Sequence, residues 1–185
     1  MIKTFTGPMF SGKTTALLTT YFNMWNKTNI LCFKPKIITR DEGIKSKNIK
    51  DNVSAIEIDD LIEIKDYIKK NTKTIFIDEA NFLKGDVNVL VELSVDDNID
   101  IYVCGLNMTG EQKPFGIMPE ILAVSDYIDI KKGYCTDCNR EAGFSYYVGG
   151  KDKDIVVGDN GYISLCEACL RKRRKANKHE WWIYC

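Results

Sequence analysis

At residues 7–14 the chain reads Gly7-Pro8-Met9-Phe10-Ser11-Gly12-Lys13-Thr14, which fits the pattern G-x-x-x-x-G-K-[ST]. Glycines in this pattern let consecutive backbone N–H groups curl around phosphate oxygens, and the positive end of the following helix adds a favourable field. The lysine contacts the β and γ phosphates of a nucleoside triphosphate, and the Ser/Thr hydroxyl binds Mg²⁺. We therefore expect this stretch, with Thr15 next on the helix, to bind the phosphates of a nucleoside triphosphate.

The residues on both sides favour this interpretation over an ordinary glycine turn. Residues 2–6 are β-prone, and residues 14–25 carry leucine and aromatic side chains at helical spacing. Strand, loop and helix in this order are the setting in which the pattern binds nucleotide.

A second motif follows where the apolar segment 74–77 ends in Asp78-Glu79. Alone, such a pair would best be read as a solvated strand end, but the upstream loop favours a chemical role. Asp78 would hold a water molecule of the Mg²⁺ shell. Glu79 would accept a proton from an attacking hydroxyl or water.

Short apolar segments alternate with helical patterns as far as residue 131. Strands are expected at 2–6, 30–33, 56–58, 74–77 and 99–104, and helices at 14–25, 61–68, 86–93 and 120–124, with Asp59 or Asp60 capping the second helix. This alternation predicts an α/β fold of the P-loop (RecA-like) type, a mainly parallel sheet flanked by helices with ligands at the carboxyl ends of its strands. The charged, aperiodic residues 36–52 are interpreted as a mobile loop.

Length, composition and charge limit the domain organisation and the class of protein. With 185 residues and 44% hydrophobic residues, the chain can form one compact domain with a small appendage. We expect a nucleotide-binding domain at 1–131, a four-cysteine domain at 132–178 and a tail at 179–185. The formal net charge of zero provides no global field for nucleic acid or an anionic membrane. The N-terminus leaves no room for a signal peptide, and no apolar run reaches the roughly 20 residues of a membrane span. A cytoplasmic location is expected.

Four cysteines form two pairs, Cys135-x-x-Cys138 and Cys166-x-x-Cys169. Four thiolates suit tetrahedral Zn²⁺ in a closed, structural site that would pin the base of the long loop 139–165. Disulfides are less favoured in a reducing compartment, and a redox C-x-x-C is less favoured because it would not explain two such pairs. Cys32 and Cys104 are expected to be inert core residues, and His179 an exposed tail residue rather than a metal ligand.

The basic run 171–175 is expected to be a solvated helix face, with contact to nucleic-acid phosphates as the alternative. The role of the following Trp-rich tail, residues 181–184, stays open.

Taken together, the motifs resemble the type II (cellular, zinc-containing) thymidine kinases over almost the whole chain. The matching stretches are Gly7 to Lys13, Asp78-Glu79-Ala80 with Phe82, Gly105-Leu106, Lys113-Pro114-Phe115-Gly116, Cys138-x-Arg140-Glu141-Ala142, and Tyr162 shortly before Cys166.

The resemblance implies ATP-dependent phosphorylation of the 5′-hydroxyl of thymidine or deoxyuridine, with Glu79 as the base and Mg²⁺ accompanying ATP. It implies that the zinc-anchored, lasso-type loop closes over the nucleoside and grips the base through Lys153, Asp154, Ile155, Val156, Val157 and Tyr162, with Ser145 facing the pyrimidine. Apolar walls would come from Met9, Phe82, Leu106, Phe115 and Phe144. The resemblance also suggests a homotetramer inhibited by thymidine triphosphate.

Three positions depart from the family pattern. Ile38 stands where an acidic residue is usual, with Asp41 close enough in sequence to compensate. Gly110 stands where an aromatic residue is usual, so that this wall of the base pocket is open or is filled from elsewhere, with Met108 as one candidate. Asn81, expected beside the phosphates at the catalytic strand end, replaces the usual Gln.

Two alternatives follow. One is a P-loop ATPase that uses the zinc module and the basic run to bind nucleic acid, although the chain is too short for a helicase with two motor domains. The other is a nucleotide-binding homologue with impaired catalysis, suggested by Ile38 and Gly110. A GTPase is disfavoured, since Asn26-Lys27-Thr28-Asn29 lacks the guanine-reading Asp.

Overall fold

The computed structural model describes residues 1–38, 42–149, 158 and 160–179, with side chains described as far as residue 176. Six parallel strands form the main sheet in the order β3-β2-β4-β5-β1-β6. The strands are β1 (Ile2–Thr6), β2 (Ile30–Pro35), β3 (Ile56–Ile58), β4 (Thr74–Ile77), β5 (Asp100–Gly105) and β6 (Tyr127–Ile130). The expected parallel α/β sheet is confirmed, and β6 is a strand that sequence patterns missed.

Three helices accompany this sheet: α1 (Lys13–Phe22), α2 (Asn88–Val95) and α3 (Met118–Ala123). The helix expected at 61–68 is instead a 3₁₀ helix, Leu61–Tyr67. Its cap matches the expectation: Asp60 Oδ1 accepts from Ile62 N, and Glu63 Oε1 accepts from Asp60 N.

The loop after β2 packs more closely than its charged sequence suggested. Ile44 and Val53 exchange backbone hydrogen bonds and are 1% and 6% exposed, in a cluster with Leu17 and Leu18 of α1. The described part, residues 42–53, is therefore folded onto α1, because Ile44 and Val53, with the partly buried Ile49, gain by burial there.

The four-cysteine module consists of two small antiparallel sheets and a helix. Strand β7 (Gly133–Tyr134) pairs with β8 (Glu141–Ala142), and β9 (Phe144–Tyr147) pairs with β10 (Tyr162–Leu165), which leads into α4 (Glu167–His179). Within the described residues, no helix combines the length and apolar character that a membrane span requires.

Candidate active site

The phosphate loop joins β1 to α1 and has the bent backbone that its glycines permit. Gly7 has φ 133°, Phe10 has φ 60°, and Gly12 has φ 79°. A Cβ atom on Gly7 would lie 2.2 Å from the carbonyl oxygen of Lys131. Glycine is therefore required at position 7 both by its backbone conformation and by the close approach of the chain that follows β6.

Two polar side chains of the loop suit an anionic ligand. The buried Lys13 ammonium donates to the Pro8 carbonyl oxygen at 2.7 Å, so it lies folded against its own loop. The Ser11 hydroxyl oxygen is buried and has no hydrogen-bond partner in the described part of the chain. A bound phosphate would supply partners to both groups, which agrees with the donor set expected of this loop.

Asp78 lies at the end of β4, where it contacts the start of α1. Thr14 Oγ1 donates to Asp78 Oδ1 at 3.2 Å. Burial raises the pKa of this carboxyl. Its hydrogen-bonding neighbours Cys104, Thr14 and the Glu79 N–H, together with the nearby charge of Lys13, lower the pKa but do not cancel the effect of burial. Sequence reasoning paired Thr14 with Asp78 by their expected roles, and the structure brings them together.

Cys104 is buried as expected, but it is more than a filler of the core. It lies on β5 beside β4, with its Sγ 3.9 Å from Thr14 Oγ1 and close to the Asp78 carboxyl. Burial raises the pKa of this thiol well above its usual value, and the charge of Asp78 raises it further. Cys104 therefore stays protonated beside Asp78.

Glu79 has a left-handed backbone, with φ 51° and ψ 38°, at the start of the 3₁₀ helix Ala80–Phe82. This conformation is uncommon for a residue other than Gly, Asn or Asp, and such strain is frequent at functional sites. The turn directs the half-buried Glu79 into a cavity of about 700 Å³ that Lys13 and Thr14 also line.

This cavity brings most of the expected site together. Its lining includes Met9, Phe10, Ser11, Gly12, Lys13, Thr14, Thr15, Glu79, Phe82, Leu106, Phe115, Ser145 and Tyr162. The rings of Phe82 and Phe115 meet edge to face with centroids 5.2 Å apart. One compartment therefore joins the phosphate loop to apolar walls of the kind that hold a flat base.

Some expected residues lie elsewhere. Phe144 does not line the cavity in the described structure but packs against the four-cysteine core, because it faces the module's interior from β9. Asn81 is buried behind the cavity, where its Oδ1 accepts from Leu106 N at 2.9 Å. It thus fixes the start of the loop that follows β5, which is a different environment from the expected phosphate contact.

The wall beside Gly110 is filled by tyrosines. A Cβ atom on Gly110 would lie 2.9 Å from Tyr162 Cε1 and 3.4 Å from Tyr147 Cβ. The two tyrosine rings pack with centroids 5.0 Å apart. Met108 also lines the cavity, as anticipated, but the side chains next to Gly110 are those of Tyr147 and Tyr162.

Several predictions fall on residues that the structure does not describe. They concern the base-gripping residues 153–157, the carboxylate of Asp41 and the tail from residue 180 onward. Ile38 is described and lines the cavity with Ile37.

The four expected cysteines converge. The Sγ atoms of Cys135, Cys138, Cys166 and Cys169 all lie within 4.8 Å of one another, and those of Cys138 and Cys166 are 3.6 Å apart. Tetrahedral Zn–S bonds of about 2.3 Å place thiolates roughly 3.8 Å apart, whereas a disulfide requires about 2.05 Å. Arg140 donates to Cys138 Sγ, which lowers the pKa of that thiol to about 6. The geometry and charge of this cluster suit a divalent metal.

The basic run on α4 makes internal contacts that the sequence did not reveal. Arg173 forms a two-pronged ion pair with Asp137 at 2.7 and 2.8 Å. Arg174 donates to the side chain of Gln112 and to the carbonyl oxygen of Glu111. Part of this positive charge is therefore used to hold α4 against the loop that contains Gly110.

Comparison with known proteins agrees with this geometry. The family described as "Thymidine kinase" matches residues 1–170. A thymidine kinase of Pseudothermotoga lettingae is 31% identical over 92% of this chain and 95% of its own length. Thymidine kinases of Porphyromonas gingivalis and Mycoplasma genitalium are 31% and 30% identical, over 92% and 87% of this chain and 85% and 78% of theirs.

Proposed function

This chain belongs to the thymidine kinase family, and we propose that it transfers the γ-phosphoryl group of ATP to the 5′-hydroxyl of thymidine or deoxyuridine. The observation that carries the proposal is a single cavity lined by the phosphate loop, by Glu79 and by the aromatic walls Phe82, Phe115 and Tyr162. The product is a nucleoside monophosphate for pyrimidine salvage.

The donor half of the reaction uses the loop and α1. When ATP binds, the Lys13 ammonium exchanges the Pro8 carbonyl oxygen for phosphate oxygens as its hydrogen-bond acceptors. The phosphates also give the unpaired Ser11 hydroxyl an acceptor. Thr14 and Asp78 are the residues that would hold Mg²⁺, which neutralises charge on the β and γ phosphates when bound. The hydrogen bond between these two residues supports their action as a pair.

The acceptor half uses Glu79 and the apolar walls. The nucleoside base lies between Phe82, Phe115 and Tyr162, with Ser145 at its edge. The Glu79 carboxylate accepts the proton of the 5′-hydroxyl as that oxygen bonds to the γ-phosphorus and ADP leaves. Residues 153–157 are proposed to bind the polar edge of the base.

The four cysteines would hold a structural Zn²⁺ that fixes the ends of the loop between β9 and β10. Two thiolates come from the turn after β7 and two from the start of α4, so the ion joins segments about 30 residues apart in the chain. We also propose that residues 1–131 form a nucleotide-binding domain and residues 132–178 a zinc domain.

Assembly, feedback and location are further parts of the proposal. Within the described residues, β6 forms an edge of the main sheet and exposes Tyr127, Ile128 and Ile130, which supports burial between subunits of a homotetramer. A triphosphate of thymidine would span both halves of the cavity and inhibit. Reduced zinc thiolates support a cytoplasmic location.

The test incubates purified protein with Mg-ATP and each deoxynucleoside and separates the products. Thymidine monophosphate that disappears in Glu79→Gln is the expected result. ATP hydrolysis that is independent of nucleoside would favour the ATPase, a reading weakened by the internal contacts of Arg173 and Arg174. Tight nucleotide binding without turnover would favour an impaired homologue.

A further inference from the structure

The backbone of Met9 in the phosphate loop is held from both sides by the four-cysteine module. Its N–H donates to Ser145 Oγ at 2.8 Å, and its carbonyl oxygen accepts from Ser164 Oγ at 2.7 Å. In the chain, Ser145 lies 136 positions after Met9 and Ser164 lies 155 positions after it. The two hydroxyls therefore connect two parts of the molecule that sequence reasoning assigned to different substrates.

The two serines form a structural pair. Ser145 on β9 and Ser164 on β10 are directly opposite each other in the antiparallel ladder, and both are buried, 4% and 2% exposed. Residues opposite in such a ladder present their side chains on the same face of the sheet. The ladder thus presents one hydroxyl to the N–H and one to the carbonyl oxygen of the same residue, Met9.

The metal cluster lies close enough to fix this pair. Ser164 is two residues before Cys166, and its carbonyl oxygen accepts from Thr136 N, in the turn between Cys135 and Cys138, at 2.9 Å. Gly133 on β7 also lies against the loop, because a Cβ atom there would be 3.4 Å from Ser164 Oγ and 3.6 Å from the Met9 carbonyl oxygen.

The loop needs such support. Its residues on either side of Met9 include Gly7, Phe10 and Gly12, all with positive φ, and Phe10 has the left-handed conformation that side chains other than Gly, Asn and Asp rarely adopt. A loop of this shape loses much conformational entropy when it is ordered. Contacts that order it before the nucleotide arrives increase affinity by preorganisation.

We propose that Ser145 and Ser164 clamp the Met9 backbone in the shape that binds phosphate, so that the four-cysteine module contributes to affinity for the donor nucleotide. This inference rests on the proposed function. Ser164 does not line the cavity in the described structure, so it is a positioning residue, whereas Ser145 also contacts the nucleoside side.

The experiment measures Mg-ADP affinity by calorimetry, without turnover, for wild type, Ser164→Ala and Ser164→Thr. The control is Thr136→Ala, which removes an exposed hydroxyl from the same module. Loss of one buried hydrogen bond predicts roughly 3- to 10-fold weaker ADP binding by Ser164→Ala. Ser164→Thr and the control should stay within about threefold of wild type, and the KM for thymidine should change less than about twofold in all variants.

Equal ADP affinity in Ser164→Ala and wild type would overturn the clamp, as would a threonine variant as weak as the alanine variant. A rise in the KM for thymidine as large as the loss of ADP affinity would indicate general loosening and would also overturn the clamp. If wild type binds ADP but does not phosphorylate thymidine, the proposed function fails while the clamp is still decided by ADP affinity.

If the Ser164 variants do not fold, a second measurement, made on wild type, tests the clamp. Hydrogen exchange followed by NMR should show the Met9 amide protected without nucleotide to about the level of the β9 amides. Exchange at the rate of a solvent-exposed loop amide would overturn the clamp.

Discussion

The hydroxyl of Thr14 and the carboxylate of Asp78 meet over 3.2 Å, joining the first turn of α1 to the end of β4. Asp78 is 7% exposed, and its pKa is raised by burial. Ionised Asp78 is thus a buried negative charge whose desolvation is only partly offset by its hydrogen bonds.

We expect Asp78→Asn to stabilise the protein in the absence of Mg²⁺ while removing activity. A carboxyl whose pKa is raised on folding destabilises the fold above that pKa, and the neutral amide avoids this penalty. The unfolding free energy at pH 8 should rise by about 1 kcal/mol, or roughly 3 °C in Tm, while kcat falls at least about 100-fold. The exposed Asp97→Asn is the control, and a lower Tm in Asp78→Asn would contradict the prediction.

Glu79→Gln should separate binding from chemistry. The amide fills the same space but cannot accept the proton of the 5′-hydroxyl, so kcat should fall roughly 10²- to 10⁴-fold with Mg-ADP affinity nearly unchanged. Steady-state kinetics and calorimetry measure the two quantities. Glu120→Gln, an exposed carboxylate on α3, should behave as wild type. Retention of a tenth of the activity by Glu79→Gln would remove Glu79 from the role of base.

Gly110→Ala tests the tyrosine wall of the cavity. The new methyl group would lie 2.9 Å from the Tyr162 ring, so that ring must shift and the nucleoside pocket with it. The KM for thymidine should rise roughly 3- to 10-fold, within the range of overpacking penalties, with little change in the KM for ATP. Gly143→Ala meets only the end of the flexible Lys132 side chain and serves as the matched control. Equal KM values in both variants would show that Tyr162 does not shape the thymidine site.

Cys138→Ser should remove the metal and loosen the module. Elemental analysis should give about one zinc per chain for wild type and much less for the variant. The free energy of unfolding of the variant should fall by at least about 2 kcal/mol, which lowers Tm by roughly 5 °C. Cys32→Ala, a buried thiol on β2, should keep its zinc. Full zinc content in Cys138→Ser would disprove four-thiolate ligation, and so would wild-type protein without zinc when metal-free handling is excluded.

The parts of the site that the sequence predicted are those whose chemistry is local. The phosphate loop and the cysteine pairs depend on residues at fixed short spacings, so their identity carries the geometry. Thr14 and Asp78 could be paired because both roles refer to the same ion. The parallel sheet could be predicted because short apolar segments alternate with helical patterns along the chain. Strand β6 was missed because its exposed apolar residues lack the pattern of a buried strand.

The missed residues act through pairings that spacing cannot reveal. Ser164 reaches Met9 only because β9 and β10 adopt one register, and a shift of one residue would place the two serines on opposite faces of the ladder. Tyr147 fills the space beside Gly110 for the same reason. Lys34, a residue type expected at the surface, is 3% exposed with its ammonium 3.1 Å from Glu57, an arrangement that requires β2 and β3 to be neighbours.

The place of β1 in the sheet also determines how the chain must fold. This strand is synthesised before both of its neighbours, since Phe5 pairs with Cys104 of β5 and Thr4 with Ile128 of β6. At about 5–20 residues per second, a ribosome needs several seconds to supply those partners. During that interval the growing chain carries β1 without its sheet neighbours, and closure requires contacts of high sequence separation, which slow folding. Chains stopped before residue 105 would therefore leave the strand before the phosphate loop unpaired and exposed to aggregation.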